Sequence, residues 1–165
     1  MDKQQRTKRL AALTHMTLQI IKWNGRHSAA CAMFDLAEIC YPSMPRTDRD
    51  FAVRFISNLS NGFECGTQYA QIGSDICGFV MVRRGASDGL VNIVGGVHPT
   101  RHNQGIGTAL LKQTLSYLQT LPEINAIQTK TFLSSIESCR FLKKHGFHAV
   151  DHIHWSRRSV AIPFD

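Results

Sequence analysis

The succession of periodic segments predicts one α/β (α+β) domain, with elements in the order β-α-α-β-β-β-α-β-α-β-β. Three observations lead there. The chain of 165 residues suits a single core and is too short for an eight-fold barrel. Short β-branched runs interleave with longer stretches of helical spacing. Neither an internal repeat nor a low-complexity linker divides the chain.

The first strand is expected over residues 17 to 23, where T-L-Q-I-I-K-W alternates. Residues 1 to 15 precede it as a basic extension with no predicted element, and Met16 could be the functional start. A helix over roughly 27 to 40 buries Ala30, Met33, Phe34, Ala37 and Ile39 and stops before Pro42. Y-P-S-M-P, residues 41 to 45, reads as a loop. A second helix opens near Thr47 and Asp50, buries Phe51, Val53, Phe55, Ile56 and Leu59, and ends near Asn61-Gly62. A meander follows: Tyr69 to Ile72, Ile76 to Arg84 and Leu90 to Val97, separated by Gly73-Ser74-Asp75 and by residues 85 to 89. The third helix, about 104 to 120, buries Ile106, Leu110, Leu111, Leu115 and Leu118. A strand near Ala126 to Phe132 precedes a helix that Ser134 and Glu137 open as a capping box and Gly146 closes. Strands near Val150 to Arg157 and Val160 to Phe164 finish the chain.

Composition excludes several classes. No apolar run approaches the length of a bilayer-spanning helix, and the polar, basic N-terminus lacks a signal-peptide hydrophobic region, so a cytoplasmic protein without a membrane association is expected. The five cysteines, Cys31, Cys40, Cys65, Cys77 and Cys139, form an odd set without C-x-x-C spacing and are read as reduced thiols. The net charge of +7 favours an anionic partner: nucleic acid, a membrane surface or a phosphorylated cofactor. Residues 1 to 15 contribute +3 of it, from Lys3, Arg6, Lys8 and Arg9 against Asp2, and no groove-reading or base-stacking signature occurs, which disfavours nucleic acid.

The segment V-H-P-T-R-H-N-Q-G-I-G-T-A, residues 97 to 109, carries the chemistry. A strand feeds a glycine-bearing turn that opens into a helix, so unpaired N–H groups at the positive end of the helix dipole face outward and attract phosphate. Gly105 and Gly107 let an anion approach the main chain, and the Thr108 hydroxyl adds a donor. The alternative is a glycine turn that only packs helix on strand. A P-loop would need Gly-Lys-Ser/Thr, and a dinucleotide fingerprint would need a small residue where Leu110 stands. Gly95-Gly96, near the end of its strand, marks a bulge, a splayed edge or a tight bend.

The chain resembles the GNAT superfamily of acetyl-CoA dependent N-acetyltransferases, most closely in V-H-P-T-R-H-N-Q-G-I-G-T-A-L-L (97 to 111) and S-S-I-E-S-C-R-F-L-K-K-H-G-F (134 to 147). The resemblance implies one acetyltransferase domain over residues 16 to 165, with a mixed, mostly antiparallel sheet of six to seven strands flanked by about four helices. It implies acetyl-CoA as acyl donor, bound at Gly95, Gly96, Val97, His102, Asn103, Gln104, Gly105, Ile106, Gly107, Thr108 and Ser135. A primary amine, in a small molecule or a peptide, would attack directly in a ternary complex. Three positions depart from the family. His102 stands where Arg or Gln usually begins the pyrophosphate motif. Leu142 replaces the tyrosine thought to protonate the departing thiolate, and Ser135 replaces an asparagine that touches pantetheine.

The catalytic groups are harder to assign. The Val97 backbone N–H is the oxyanion donor that the resemblance implies. Asn92 lies in a strand with no carboxylate, and Glu64, Asp75, Asp88 and His98 are candidate bases, each weighed against a solvated turn residue. His152 and His154 share one side of a predicted strand, without a third metal ligand in sequence reach, and could line the acceptor pocket with Trp155, Tyr41 and Met44. Asp35, Glu38, Asp48 and Asp50 could attract a cationic amine. A module that binds acyl-CoA without turnover is the competing reading, and C-terminal strands could pair into a homodimer or finish the sheet.

Overall fold

The computed structural model describes residues 17–42, 66–131, 135–151 and 154–158. Strand β1 (Leu18–Lys22) leads into helix α1 (His27–Cys40), then strands β2 (Gln68–Ile72), β3 (Asp75–Arg84) and β4 (Leu90–Val97). A 3-10 turn at Pro99–Arg101 precedes α2 (Ile106–Gln119), followed by β5 (Ala126–Lys130), α3 (Ile136–Lys144), β6 (His148–Ala149) and β7 (His154–Arg158). The seven strands form one sheet in the order β1-β2-β3-β4-β5-β7-β6, and every neighbouring pair is antiparallel except β4 with β5. This is the mixed, mostly antiparallel sheet the sequence predicts.

Two apolar layers cover the sheet. On one face the buried stripe of α2 (Ile106, Leu110, Leu111, Leu115, Leu118) meets Val80, Val82, Val91, Ile93 and Ile127, and α3 adds Cys139 and Leu142. On the other, Ala30, Met33 and Ala37 of α1 pack on Trp23, Tyr69 and Phe79. Strand alternation assigns the faces: Val91 and Ile93 turn to α2, while Phe79 turns to α1. Each fully buried Leu or Ile contributes about 1.5–3 kcal/mol, so these stripes fix which side each helix occupies.

The predicted elements recur with shifted ends, and three expectations change. The stretch near Val150 to Arg157 is not one strand: His148–Ala149 and His154–Arg158 pair as separate antiparallel strands, with a bend at Val150 and Asp151 between them. Asp151 terminates the run because its carboxylate accepts from the His154 N–H at 2.8 Å. Helix α3 begins one residue later than its predicted capping box, with Ser135 at the N-cap and no side-chain cap bond. Gly95-Gly96 makes no bulge, since β4 runs in regular register with β3 and the irregularity lies in β2, between Ala70 and Gln71. The helix expected over 47 to 61 and the strand over 160 to 164 lie outside the described residues, among which the helices number three.

Candidate functional site

The turn between β4 and α2 is built to leave donors exposed. Asn103 (φ 62°) and Gly105 (φ 79°) both take left-handed backbone, which steers the chain from the Pro99–Arg101 turn into the helix. The first helical bond runs from the Ala109 N–H to the Gly105 carbonyl, at 2.9 Å. The N–H groups of Ile106, Gly107 and Thr108 therefore precede any intrahelical partner. No side chain caps this end and no acidic residue occupies its first turn, so nothing offsets the positive pole of the helix. A Cβ on Gly105 would meet nothing within 4 Å, which leaves open space before the donors.

The second component is a split in the sheet. Strands β4 and β5 are in register only from Leu90 opposite Ala126 to Asn92 opposite Gln128, and β4 continues to Val97 without a partner strand on that side. Bonds from the His98 N–H to Cys77 O (2.9 Å) and from the Gly85 N–H to Leu90 O (2.7 Å) set the phase of the β3–β4 ladder. Backbone groups alternate along a strand, so Ile93, Gly95 and Val97 turn theirs away from β3 and into the split. Two of those carbonyl oxygens already have donors. The Tyr41 hydroxyl donates to Gly95 O. At Val97 O, His102 Nε2 lies at 2.9 Å and Cys40 Sγ at 3.5 Å. What β4 presents to the split is therefore dominated by its N–H groups.

Turn and split belong to one cleft of about 480 Å³. Of the residues predicted to bind the cofactor, Gly95, Gly96, Val97, His102, Asn103, Gly105, Ile106, Gly107 and Thr108 line it. Gln104 and Ser135 do not: Gln104 is exposed and its amide donates to the Thr100 carbonyl at 3.4 Å, while the Ser135 hydroxyl donates to that of Ser138 at 2.9 Å. Ser138, one helical turn on, lines the cleft in its place. The two glycines of β4 make room for the protein itself. A Cβ on Gly95 would stand 2.8 Å from the Phe79 carbonyl oxygen, and one on Gly96 2.7 Å from Cys40 Sγ. Gly107 differs, because its missing Cβ faces Val97 and the Phe141 ring across the cleft at 3.5 and 3.6 Å.

Sequence reasoning missed Cys40, Phe141, Glu137 and Lys130 as lining residues. Phe141 was legible in principle, being one residue from Leu142 and on the same helix face as Ser138, at i, i+3. Cys40 was not, since its place depends on how α1 crosses β4. Leu142 is buried and lines the cleft as an apolar wall.

The candidate bases scatter. The ring Nδ1 of His98 accepts from the Thr100 N–H at 3.3 Å and lies 2.8 Å from its hydroxyl, and His98 does not line the cleft. Asp75 sits at the β2–β3 turn and Asp88 at the β3–β4 turn, both exposed and away from the cleft. Glu64, Met44, Asp48, Asp50 and His152 lie outside the described residues. Among the described residues no three His, Cys, Asp or Glu side chains come together as a metal site, and no helix is long and apolar enough to cross a membrane. Burial raises the Cys40 thiol and, with Cys40 adding to it, the Tyr41 phenol, so both are protonated donors at neutral pH. Among the described residues, Cys31, Cys40, Cys77 and Cys139 form no disulfide.

A sequence profile described as the acetyltransferase (GNAT) family matches residues 30–147. No curated protein matches the chain. Similar solved structures include a protein from Pyrococcus horikoshii OT3, 20% identical with a TM-score of 0.71 over 86% of this chain and 98% of that one. A putative acetyltransferase from Salmonella typhimurium with its cofactor acetyl-CoA is 13% identical, with a TM-score of 0.72 over 89% and 96%. A GNAT family acetyltransferase from Brucella melitensis in complex with acetyl-CoA is 16% identical, with a TM-score of 0.62 over 87% and 89%. At these identities the likeness is one of fold, and the profile, spanning well over half of the chain and both segments that form the cleft, carries the conclusion that this protein belongs to the acetyltransferase (GNAT) family.

Proposed function

We propose that the protein moves an acetyl group from acetyl-CoA to a primary amine by direct attack in a ternary complex. The supporting observation is the course of the cleft. It starts at the uncapped end of α2, where Ile106, Gly107 and Thr108 offer backbone donors to a diphosphate, and passes between β4 and β5. It reaches the opposite face of the sheet at Ile39, Cys40 and Tyr41. A donor laid along the α2 and α3 side brings its thioester into the split, and the amine approaches from the α1 side.

In this reading the Val97 N–H, turned into the split, stabilises the charge developing on the thioester oxygen, a contribution of roughly 3 kcal/mol. Holding amine and thioester in register supplies more, on the order of 7 kcal/mol. The amine nitrogen bonds to the acetyl carbon, the C–S bond breaks, and coenzyme A leaves as the thiol. Two outside observations fit the reading: solved relatives of the same fold from Salmonella typhimurium and Brucella melitensis carry acetyl-CoA.

One observation favours a second reading. Leu142 places an apolar side chain on the cleft wall, and β4 carries no carboxylate, which suits a module that binds acyl-CoA without turnover. A thiol-release assay with acetyl-CoA and a panel of amines separates the two. Release with any acceptor eliminates the binding module, and no thermal stabilisation by acetyl-CoA well above micromolar concentration sinks both.

A further inference from the structure

Strand β4 lacks an acid or base, yet an amine that arrives as an ammonium ion must lose a proton before it can attack. One described pair has the form of a base; it stands at the start of β7, across β5 from the split, next to the cleft lining but not part of it. Asp151 Oδ2 lies 2.6 Å from His154 Nδ1, and Asp151 Oδ1 accepts from the His154 backbone N–H at 2.8 Å. A single carboxylate thus fixes both the backbone and the ring of His154. With a carboxylate as acceptor, Nδ1 carries the hydrogen, and Nε2 of the neutral ring holds a lone pair.

The sheet places this ring on the side from which the acceptor comes. His154 is the register partner of Lys130, which lines the cleft two residues beyond the last β4–β5 pair. Directly opposed side chains stand about 4.5–5.5 Å apart at Cβ. Trp155 is buried with the α2 and α3 layer, so its neighbour His154 faces the other way, toward the α1 side. His154 is partly exposed, at 31% of its side chain, so solvent can return a proton to or from it. The charged and titratable groups around it are Lys130 opposite on β5, Asp151 on the turn, Arg158 on the same face of β7, and His148, which opposes Ser156 from β6.

We propose that His154, oriented by Asp151, is the general base of the acetyl transfer. This rests on the acetyltransferase reading above. The Nε2 lone pair takes one proton from the ammonium, leaving a neutral amine and an imidazolium. The amine nitrogen bonds to the thioester carbon and the C–S bond breaks. The second amine proton passes to the sulfur, giving the amide and the coenzyme A thiol, and the imidazolium releases its proton to solvent.

The test uses the full chain. Thiol release from acetyl-CoA is measured with spermidine, kanamycin, lysine and an alanyl-peptide, and the most active acceptor is carried into pH profiles of kcat and KM for the wild type, His154→Gln and Asp151→Asn. Acetyl-CoA affinity is measured by calorimetry alongside. His154→Gln is expected to lower kcat by about 100-fold or more and to abolish the acidic limb of its pH profile, with acetyl-CoA affinity unchanged. Asp151→Asn is expected to lower kcat while keeping that limb, and imidazole added to His154→Ala is expected to restore part of the rate. A His154→Gln protein that keeps the wild-type kcat or the same limb overturns the proposal while leaving the transferase reading intact. A wild type that binds acetyl-CoA and releases no thiol with all four amines overturns the transferase reading, and this proposal with it.

Discussion

His102 Nε2 lies 2.9 Å from the carbonyl oxygen of Val97, so the first side chain of the phosphate turn is tied to β4 instead of reaching outward. Removing it by His102→Ala is expected to cost about 1 kcal/mol of folding free energy, the usual net value of one hydrogen bond. Acetyl-CoA affinity should change by less than about threefold, because the diphosphate site proposed above consists of main-chain donors. Thermal melting and calorimetry check the two halves, and a tenfold loss of affinity with an unchanged melting point would reverse the assignment.

Gly107 separates stability from binding. Its φ is helical and an added Cβ would make only ordinary contacts with Val97 and Phe141, at 3.5 and 3.6 Å. Gly107→Ala should therefore stabilise the free protein slightly, by less than the roughly 0.5–1 kcal/mol that separates the two residues in a helix interior, since Gly107 stands in the first turn of α2. The same methyl group narrows the cleft beside the donors, and the two further methyls of Gly107→Val narrow it more. Acetyl-CoA binding is expected to weaken modestly for Ala and by more than about tenfold, or 1.4 kcal/mol, for Val. A fully active Gly107→Val protein would show that the cradle is misplaced.

The Tyr41 hydroxyl closes the end of α1 onto Gly95. Tyr41→Phe leaves that carbonyl without its donor in a half-buried site, at an expected cost of about 1–3 kcal/mol, read as a lower denaturation midpoint. Acetyl-CoA should partly compensate, since the freed acceptor faces the split. The measurement is the ligand-induced shift in midpoint, expected to be larger in the variant than in the wild type.

His145 governs one part of the acid response. Burial, followed by the neighbouring Lys144, Lys112 and Arg157, holds its pKa below the ordinary value of 6.5. Its Nε2 is buried without a partner, and its carbonyl accepts from Arg157 Nη1 at 3.0 Å. The unfolded chain therefore binds this proton more readily than the folded one. Stability is unaffected well above pH 6.5 and falls as the pH drops through that value toward the lower folded pKa. The melting temperature of His145→Gln is expected to decline less steeply than that of the wild type between pH 7 and 5.5. Equal slopes would show that the ring titrates freely in the fold.

The three described helices and the glycine turn before α2 were legible because their signals are local. Helix α1 spans the predicted 27 to 40, and Gly105 and Gly107 stand where a strand ends and a helix begins. Ser135 and Gln104 stand off the cleft lining for a physical reason: a polar side chain can be satisfied by a neighbour, Ser138 or the Thr100 carbonyl, and sequence spacing does not say which. Glycines 95 and 96 were marked correctly as a place of close approach. What approaches, the Phe79 carbonyl and Cys40, lies 16 and 56 residues away along the chain and depends on how strands and α1 cross. The Asp151–His154 pair was hidden by reading Val150 to Arg157 as unbroken strand, in which residues three apart point to opposite faces; only the bend at Asp151 lets the two meet.

The split has a consequence for self-association. An unpaired row of amides inside a sheet would ordinarily template a foreign polypeptide, which needs acceptors and donors in alternation. Here Tyr41, Cys40 and His102 occupy the oxygens of Gly95 and Val97. An invading peptide would find half of its own amides unanswered, whereas a slender molecule that brings carbonyl groups loses little. The same capping thus guards the opened sheet against aggregation and filters what it admits.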